Sequence, residues 1–205
     1  QELLSIKFAN QLTTVSPEYV SYYRKLYKVA DDKIAVIPDG VQDIWFDEPK
    51  NVEHELFHPR RVLYWGTFGI QGGFDLILGA AQELRDKDIE FVLCGTGGME
   101  TWVREQARQM NLNNVVFKGF IPTMKELIHI VDSADVAIGL LGDVHDTRLT
   151  TENKTKQGMA RGKPVIAIWT KQKEDFYFKN SAYPPLILID LDPKSLAKAI
   201  TEVIN

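Results

Sequence analysis

The run Arg61-Val62-Leu63-Tyr64-Trp65-Gly66-Thr67-Phe68-Gly69-Ile70-Gln71-Gly72-Gly73-Phe74-Asp75-Leu76-Ile77-Leu78-Gly79-Ala80 decides the fold class. Residues 61–65 are apolar or amphipathic without alternation, the pattern of a strand covered on both faces. Residues 66–73 are glycine-rich, so the chain can turn tightly there and bring backbone close to a ligand. From Phe74 on, Ile77, Leu78, Ala81 and Leu84 recur at helical spacing. A strand, a glycine loop and a helix in that order form the first half of a βαβ unit.

The same alternation continues outward. Strands are predicted at 33–37, 89–94, 115–117, 135–140, 164–168 and 186–189, most of them short and β-branched. Helical periodicity joins Val103, Ala107 and Met110, and again Met124, Leu127, Ile128 and Val131. Ser16-Pro17-Glu18 and Asp192-Pro193 read as helix starts, with an N-cap followed by proline in the first turn. Repeated strand–helix alternation predicts right-handed βαβ units and a mainly parallel sheet from about residue 61 to the C-terminus. The stretch 38–60 holds Pro38, Pro49 and Pro59, several acids and no clear period, and reads as a connector. The front piece, residues 1–37, is expected to pack on the main domain or to contribute a stray strand.

Bulk properties exclude several classes. The chain has 205 residues, 44% of them hydrophobic and 25% charged, which is globular usage rather than disorder. With a net charge of −4 there is no global attraction for nucleic acid or an anionic membrane, so any anion site must be local. No apolar run approaches the ~18 residues that span a bilayer. Cys94 is the single cysteine, so no internal disulfide can form, which fits a reducing compartment. The chain begins at Gln1 without Met or a signal segment, and is expected to be a piece of a longer protein.

Ligands of open α/β sheets bind at the carboxyl ends of the strands. Three predicted ends carry glycine: Gly66 to Gly73, then Gly95-Thr96-Gly97-Gly98, then Gly119-Phe120 after Lys118. Each alone could be an ordinary turn glycine, but all three fall on one edge. A dinucleotide fingerprint is not met. Gly95-x-Gly97 begins one, yet position 100 is Glu, and the next strand ends Val116-Phe117-Lys118 without an acid for a ribose. His54-Glu55-Leu56-Phe57-His58 matches a zinc-protease pattern in form only. It sits between Pro49 and Pro59 without an evident third ligand, and no metal is expected. Residues 150–167 run Thr150-Thr151-Glu152-Asn153-Lys154 into a short helix, which Asn153 can cap and Gly162 can end, ahead of a strand at Pro164-Val165-Ile166. Lys154, Gln157 and Arg161 share one polar face, with Met159 and Ala160 opposite. A helix start with Thr hydroxyls, free N–H groups and a lysine is a phosphate cradle, although a solvated polar face gives the same pattern.

Taken in order, these pieces resemble the group 1 (family 4) glycosyltransferases of the GT-B fold over nearly the whole chain. Residues 9–16 resemble the last strand of an acceptor domain. Lys33-Ile34-Ala35-Val36-Ile37-Pro38-Asp39-Gly40-Val41-Gln42, followed by Phe46, resembles the passage into the donor domain. Gly72-Gly73-Phe74-Asp75-Leu76-Ile77, the Gly95 loop, Ala134-Asp135-Val136 and the stretch from Lys154 to Ile166 complete the set. The resemblance implies an α/β fold with a Rossmann-like, doubly wound parallel sheet, the C-terminal half of a GT-B enzyme. Residues 1–37 would be the tail of the N-terminal acceptor domain, 38–60 the connector and 61–205 the nucleotide-sugar-binding domain. It implies sugar transfer, with retention, from a nucleoside diphosphate sugar to a glycan, lipid or polysaccharide precursor, without a cofactor. The implied location is cytoplasmic, with membrane contact only through a full-length protein.

Some positions depart from the family pattern. Thr67 stands where many members have Arg, Gly72 where they have Lys, and Leu149 and Gln157 where they have paired Glu residues. We expect Lys154, helped by Arg148, to replace the missing cations. The donor-binding set is then Gly66, Thr67, Gly95, Gly97, Gly119, Phe120, Arg148, Thr150, Thr151, Lys154 and Gln157. The catalytic residues toward the acceptor are expected in the N-terminal domain, and the isolated chain is expected not to turn over. Two alternatives remain at this point. One is a degenerate nucleotide-binding module; the other is a nucleotide-sugar epimerase, which would need cleft groups such as His145 and Asp146.

Overall fold

The computed structural model describes residues 2–47, 59–150, 152–179 and 186–205. The front piece runs α1 (Glu2–Phe8), β1 (Leu12–Thr14), α2 (Pro17–Tyr27) and β2 (Ile34–Val36), and β1 and β2 pair in parallel as their own two-stranded sheet. Ser16 caps α2, its hydroxyl accepting from the Tyr19 N–H at 3.4 Å, with Pro17 in the first turn as its sequence requires. The same hydroxyl donates to the Leu149 carbonyl at 2.6 Å, which ties the front piece to the main domain.

The main domain contains β3 (Arg60–Trp65), α3 (Phe74–Glu83), β4 (Ile89–Cys94), α4 (Glu100–Gln109), β5 (Val115–Gly119), α5 (Met124–Asp132), β6 (Val136–Ile138), α6 (His145–Leu149), α7 (Asn153–Ala160), β7 (Val165–Ile168), α8 (Lys171–Lys173, continuing as a π-turn through Phe178), β8 (Leu186–Ile189) and α9 (Pro193–Ile204). Among the described residues β3 to β8 form a six-stranded, wholly parallel sheet in the order β5-β4-β3-β6-β7-β8. The chain starts at β3, winds outward to β5, and returns beside β3 as β6. The strand order reverses between β3 and β6, and a crevice opens there at the carboxyl edge.

Both faces are covered, as the unbroken apolar strands require. Val62, Tyr64, Phe91, Leu93, Val136, Ile138 and Ile166 point into a core closed by α3, α4 and α9. Their neighbours Leu63, Trp65, Val92, Cys94, Ala137, Val165 and Ala167 point to the other side, toward α5.

Three expectations need correction. α7 is capped at Glu152, and Asn153 is its first helical residue. Residues 145–149, to which periodicity assigned no element, form the short helix α6. Within the connector, residues 43–46 make a 3-10 turn whose Trp45 is fully buried and stacks on Trp65 at 6.5 Å. One aromatic buried so completely contributes at least the ~1.5–3 kcal/mol of a buried Phe, which is enough to clamp that turn to the sheet. The period-free composition around Trp45 hid this anchor. The His54–His58 match lies outside the described residues. Among the described residues no helix is long and apolar enough to cross a membrane, and no cluster of three metal-ligating side chains occurs.

Candidate functional site

At the strand-order reversal, Tyr64, Gly66, Thr67, Gln71, Leu140, Thr147, Thr150 and Lys154 line a cavity of about 300 Å³. A second cavity of about 270 Å³ adjoins it over the ends of β3 and β4, lined by Trp65, Gly66, Thr67, Cys94, Gly95, Thr96, Phe120, Ile121 and Leu127. Gly66 and Thr67 belong to both.

Lys154 is the central group. It lies in the first turn of α7 with only 9% of its surface exposed, and its Nζ sits 3.3 Å from the Tyr64 ring centroid with no hydrogen-bond partner. The ring face offers a cation some attraction but does not replace water. Burial therefore pulls the Lys154 pKa down to about 7, against the opposing pull of the nearby Glu152 carboxylate. A lysine at a helix N-terminus, where cations are disfavoured, would gain from an anion brought beside it. The Tyr64 hydroxyl donates to the Thr67 carbonyl at 3.0 Å, fixing the loop above it, and burial holds the phenol well above its usual range.

Glu152, which sequence reasoning passed over, organises the base of the site. Its Oε1 accepts from the Leu140 N–H at 3.1 Å and the Thr155 hydroxyl at 2.8 Å, and pairs with Lys173 at 3.5 Å. Lys173 is fully buried; burial lowers its pKa while the Glu152 charge raises it. One carboxylate thus joins the end of β6, the start of α7 and α8. The sequence signal was its place one residue before the helix, although a charged residue there more often lies in solvent.

The glycines also allow the loops to approach one another closely. A Cβ on Gly95, at φ +127°, would fall 1.9 Å from the Gly66 carbonyl oxygen, and one on Gly97 would fall 2.6 Å from that of Phe68. Here glycine lets the loops stack on one another. The Gly66 N–H donates to the Cys94 carbonyl, Phe68 to Thr96 and Gly95 to Gly119, at 3.0, 2.9 and 2.6 Å. Those amides are committed within the loop stack.

The other site residues distribute as follows. Thr150 shares the Lys154 cavity, and Phe120, 71% exposed, shares the adjoining one. Gly97 lies against the Phe68 backbone, and the Gly119 carbonyl accepts from the Gly95 N–H. Gln157 accepts from the Trp65 indole N–H at 3.1 Å, on the other face of the sheet from Tyr64. Arg148 is not brought to Lys154; its Nε donates to Asp143 at 2.7 Å and its side chain borders a separate cavity beside β7 and β8. Thr151 lies outside the described residues. Arg161, placed by its spacing on the polar face of α7, has its side chain buried and bidentate on Asp132, with both contacts at 2.7 Å. His145 packs on Tyr22 at 4.6 Å and does not line the Lys154 cavity, which removes the support for epimerisation.

A family model described as glycosyl transferases group 1 matches residues 59–205. The O-antigen chain mannosyltransferase C of Escherichia coli is 36% identical over 110 residues, covering 52% of this chain and 28% of that protein. The 2-deoxystreptamine N-acetyl-D-glucosaminyltransferase of Niallia circulans is 26% identical over 121 residues, covering 55% of this chain and 31% of the other. Among solved structures, Anabaena Alr3699/HepE in complex with UDP and glucose superposes with a TM-score of 0.77 at 15% identity, covering 98% of this chain and 55% of that one. The matches thus span less than a third of these two curated relatives and about half of that solved structure.

Proposed function

Because the chain belongs to the group 1 glycosyltransferases, we propose that it is the donor-binding part of an enzyme that moves a sugar from a nucleoside diphosphate sugar to an acceptor hydroxyl. The observation that carries this reading is Lys154, a buried ammonium without a hydrogen-bond partner in a cavity at the strand-order reversal. A diphosphate placed there would supply the missing anion.

In the reaction the bond from the anomeric carbon to the diphosphate breaks, the acceptor oxygen bonds to that carbon, and the acceptor hydroxyl gives up its proton. The difficulty is the negative charge that develops on the leaving diphosphate. Lys154 answers it. Its flexible stem lets the ammonium leave the Tyr64 ring for the phosphate oxygens, and the anion raises its pKa, so that the lysine is fully charged when needed. The Thr67 and Thr150 hydroxyls border the same space and can donate to the remaining oxygens. No cofactor enters this scheme. The adjoining cavity, with Thr96 and exposed Phe120, offers an aromatic face to the rest of the donor.

The test is calorimetric titration of the chain with UDP and with GDP. We expect clear binding of at least one, weakened about ten- to a hundredfold in Lys154→Met, since a charge-assisted contact is worth roughly 1.5–3 kcal/mol. Equal affinity in the variant would move the diphosphate away from α7.

A further inference from the structure

α6 forms part of the wall of the Lys154 cavity, with little of its own to hold it there. It has five residues, and a helix so short is not stable by itself. Thr147, within it, and Thr150, the residue just after it, line the cavity. Thr147 is fully buried, yet its hydroxyl has no hydrogen-bond partner. Arg148 is paired with Asp143, which lies just before the helix. Neither side chain bonds α6 to the sheet.

The front piece supplies a tie from outside. The last carbonyls of a helix find no partner within it. Leu149 ends α6, and its carbonyl accepts from the Ser16 hydroxyl at 2.6 Å. Ser16 is only 2% exposed, so water does not compete for that bond. Ser16 is itself fixed as the N-cap of α2, where its oxygen also accepts from the Tyr19 N–H at 3.4 Å. A second contact runs beside the first. Tyr22, one turn and more into α2, meets His145, the first residue of α6, with ring centroids 4.6 Å apart. α2 therefore holds α6 at both ends, at His145 and at Leu149.

The consequence falls on the cavity. Thr150 follows Leu149 directly, so its place on the wall is set where the Leu149 carbonyl is held. A loose wall must be ordered when a ligand binds, and that ordering is subtracted from the affinity. A wall already held loses less.

We propose that Ser16 is a positioning residue of the donor site, holding the end of α6 so that Thr150 stays on the wall of the Lys154 cavity. The proposal rests on the donor reading of that cavity. Ser16 does not itself line the cavity, and it lies outside the residues 59–205 that carry the family match. A role confined to capping α2 would leave nucleotide binding untouched.

The test separates the tie from the cap. Ser16→Gly deletes the hydroxyl but leaves a residue that starts a helix nearly as well, whereas Ser16→Thr keeps the hydroxyl. His145→Ala cuts the second tie from an exposed position on α6. Calorimetric titration uses whichever of UDP and GDP the wild type binds. Affinity should be about three- to tenfold weaker in Ser16→Gly, about twofold weaker in His145→Ala and unchanged in Ser16→Thr. In ¹⁵N NMR spectra without nucleotide, the Thr150 amide should shift in Ser16→Gly and return in Ser16→Thr, with the amides of β4 unmoved. Wild-type affinity in Ser16→Gly overturns the proposal, and so does a Thr150 amide that does not respond. Were that variant not to fold, wild-type affinity in His145→Ala overturns it instead. Equal loss in Ser16→Thr also overturns it, because the hydroxyl would then not be what matters. Binding of neither nucleotide by the wild type would overturn the donor reading, and the Thr150 amide would still decide whether Ser16 sets the cavity wall.

Discussion

Lys154 carries a stability penalty. Its ordinary pKa of 10.5 holds in the unfolded chain, whereas burial lowers it to about 7 in the folded one. Between those values the unfolded chain binds the extra proton, so stability must rise as pH rises through this window, by up to ~1.4 kcal/mol per unit from this residue. Below about pH 7 both states are protonated and the burial penalty is at its full size. Urea denaturation at pH 7 and pH 9 should show the wild type gaining more than Lys154→Met over that interval, and the variant should be the more stable at pH 7. Parallel pH dependences would mean that the ammonium is not desolvated. The same shift predicts proton uptake on donor binding at pH 8, because a diphosphate restores the charged form. Titrations in buffers of different ionisation heat should reveal the uptake in the wild type and lose it in Lys154→Met.

At the scale of elements, Glu152 and Lys173 fasten α7 and α8 to the end of β6. Both side chains are buried, at 6% and 0% exposure. Removing one charge strands the other, so Glu152→Gln should destabilise the chain by ~3–5 kcal/mol. Adding Lys173→Met should recover much of that loss, because an apolar replacement of the pair avoids desolvating either ion. Denaturant melts of the two singles and the double would measure the coupling, and additive effects would count against the pair. Much at this scale was legible from spacing. β3, β4 and β8 begin or end within one residue of the apolar runs, and the Ser16-Pro17 and Asp192-Pro193 starts of α2 and α9 follow from local capping chemistry. α6 was not legible, since its five residues, HDTRL, carry no period.

At the scale of the whole molecule, the chain matches less than a third of the two curated relatives and about half of the solved structure. A cleft completed by a second domain stabilises its transition state only on closure. The chain should therefore bind UDP or GDP but transfer no sugar by itself, and activity should depend on the remainder of a relative-length protein. Transfer by this chain at a rate matching a full-length relative would contradict that. The β1–β2 pair fits the same view: two short parallel strands are marginal alone and keep open edges. Hydrogen exchange should find β1 and β2 much less protected than β3, β4 and β6.

Sequence alone determined most of the alternation of strands and helices, the parallel sheet and the glycine-rich edge that lines the candidate site. These follow from local causes, namely periodicity, capping and the handedness of βαβ units, which act over a few residues and leave a mark in their order. Tertiary structure decided which polar groups meet. It turned Arg148 from Lys154 to Asp143, buried Arg161 against Asp132, set Gln157 on the Trp65 indole and engaged the loop amides of Gly66 and Gly95 with the Cys94 and Gly119 carbonyls. It also gave Glu152 a partner in Lys173, 21 positions further along the chain. Long polar side chains have many rotamers of similar energy, and only packing and desolvation at close range select among them.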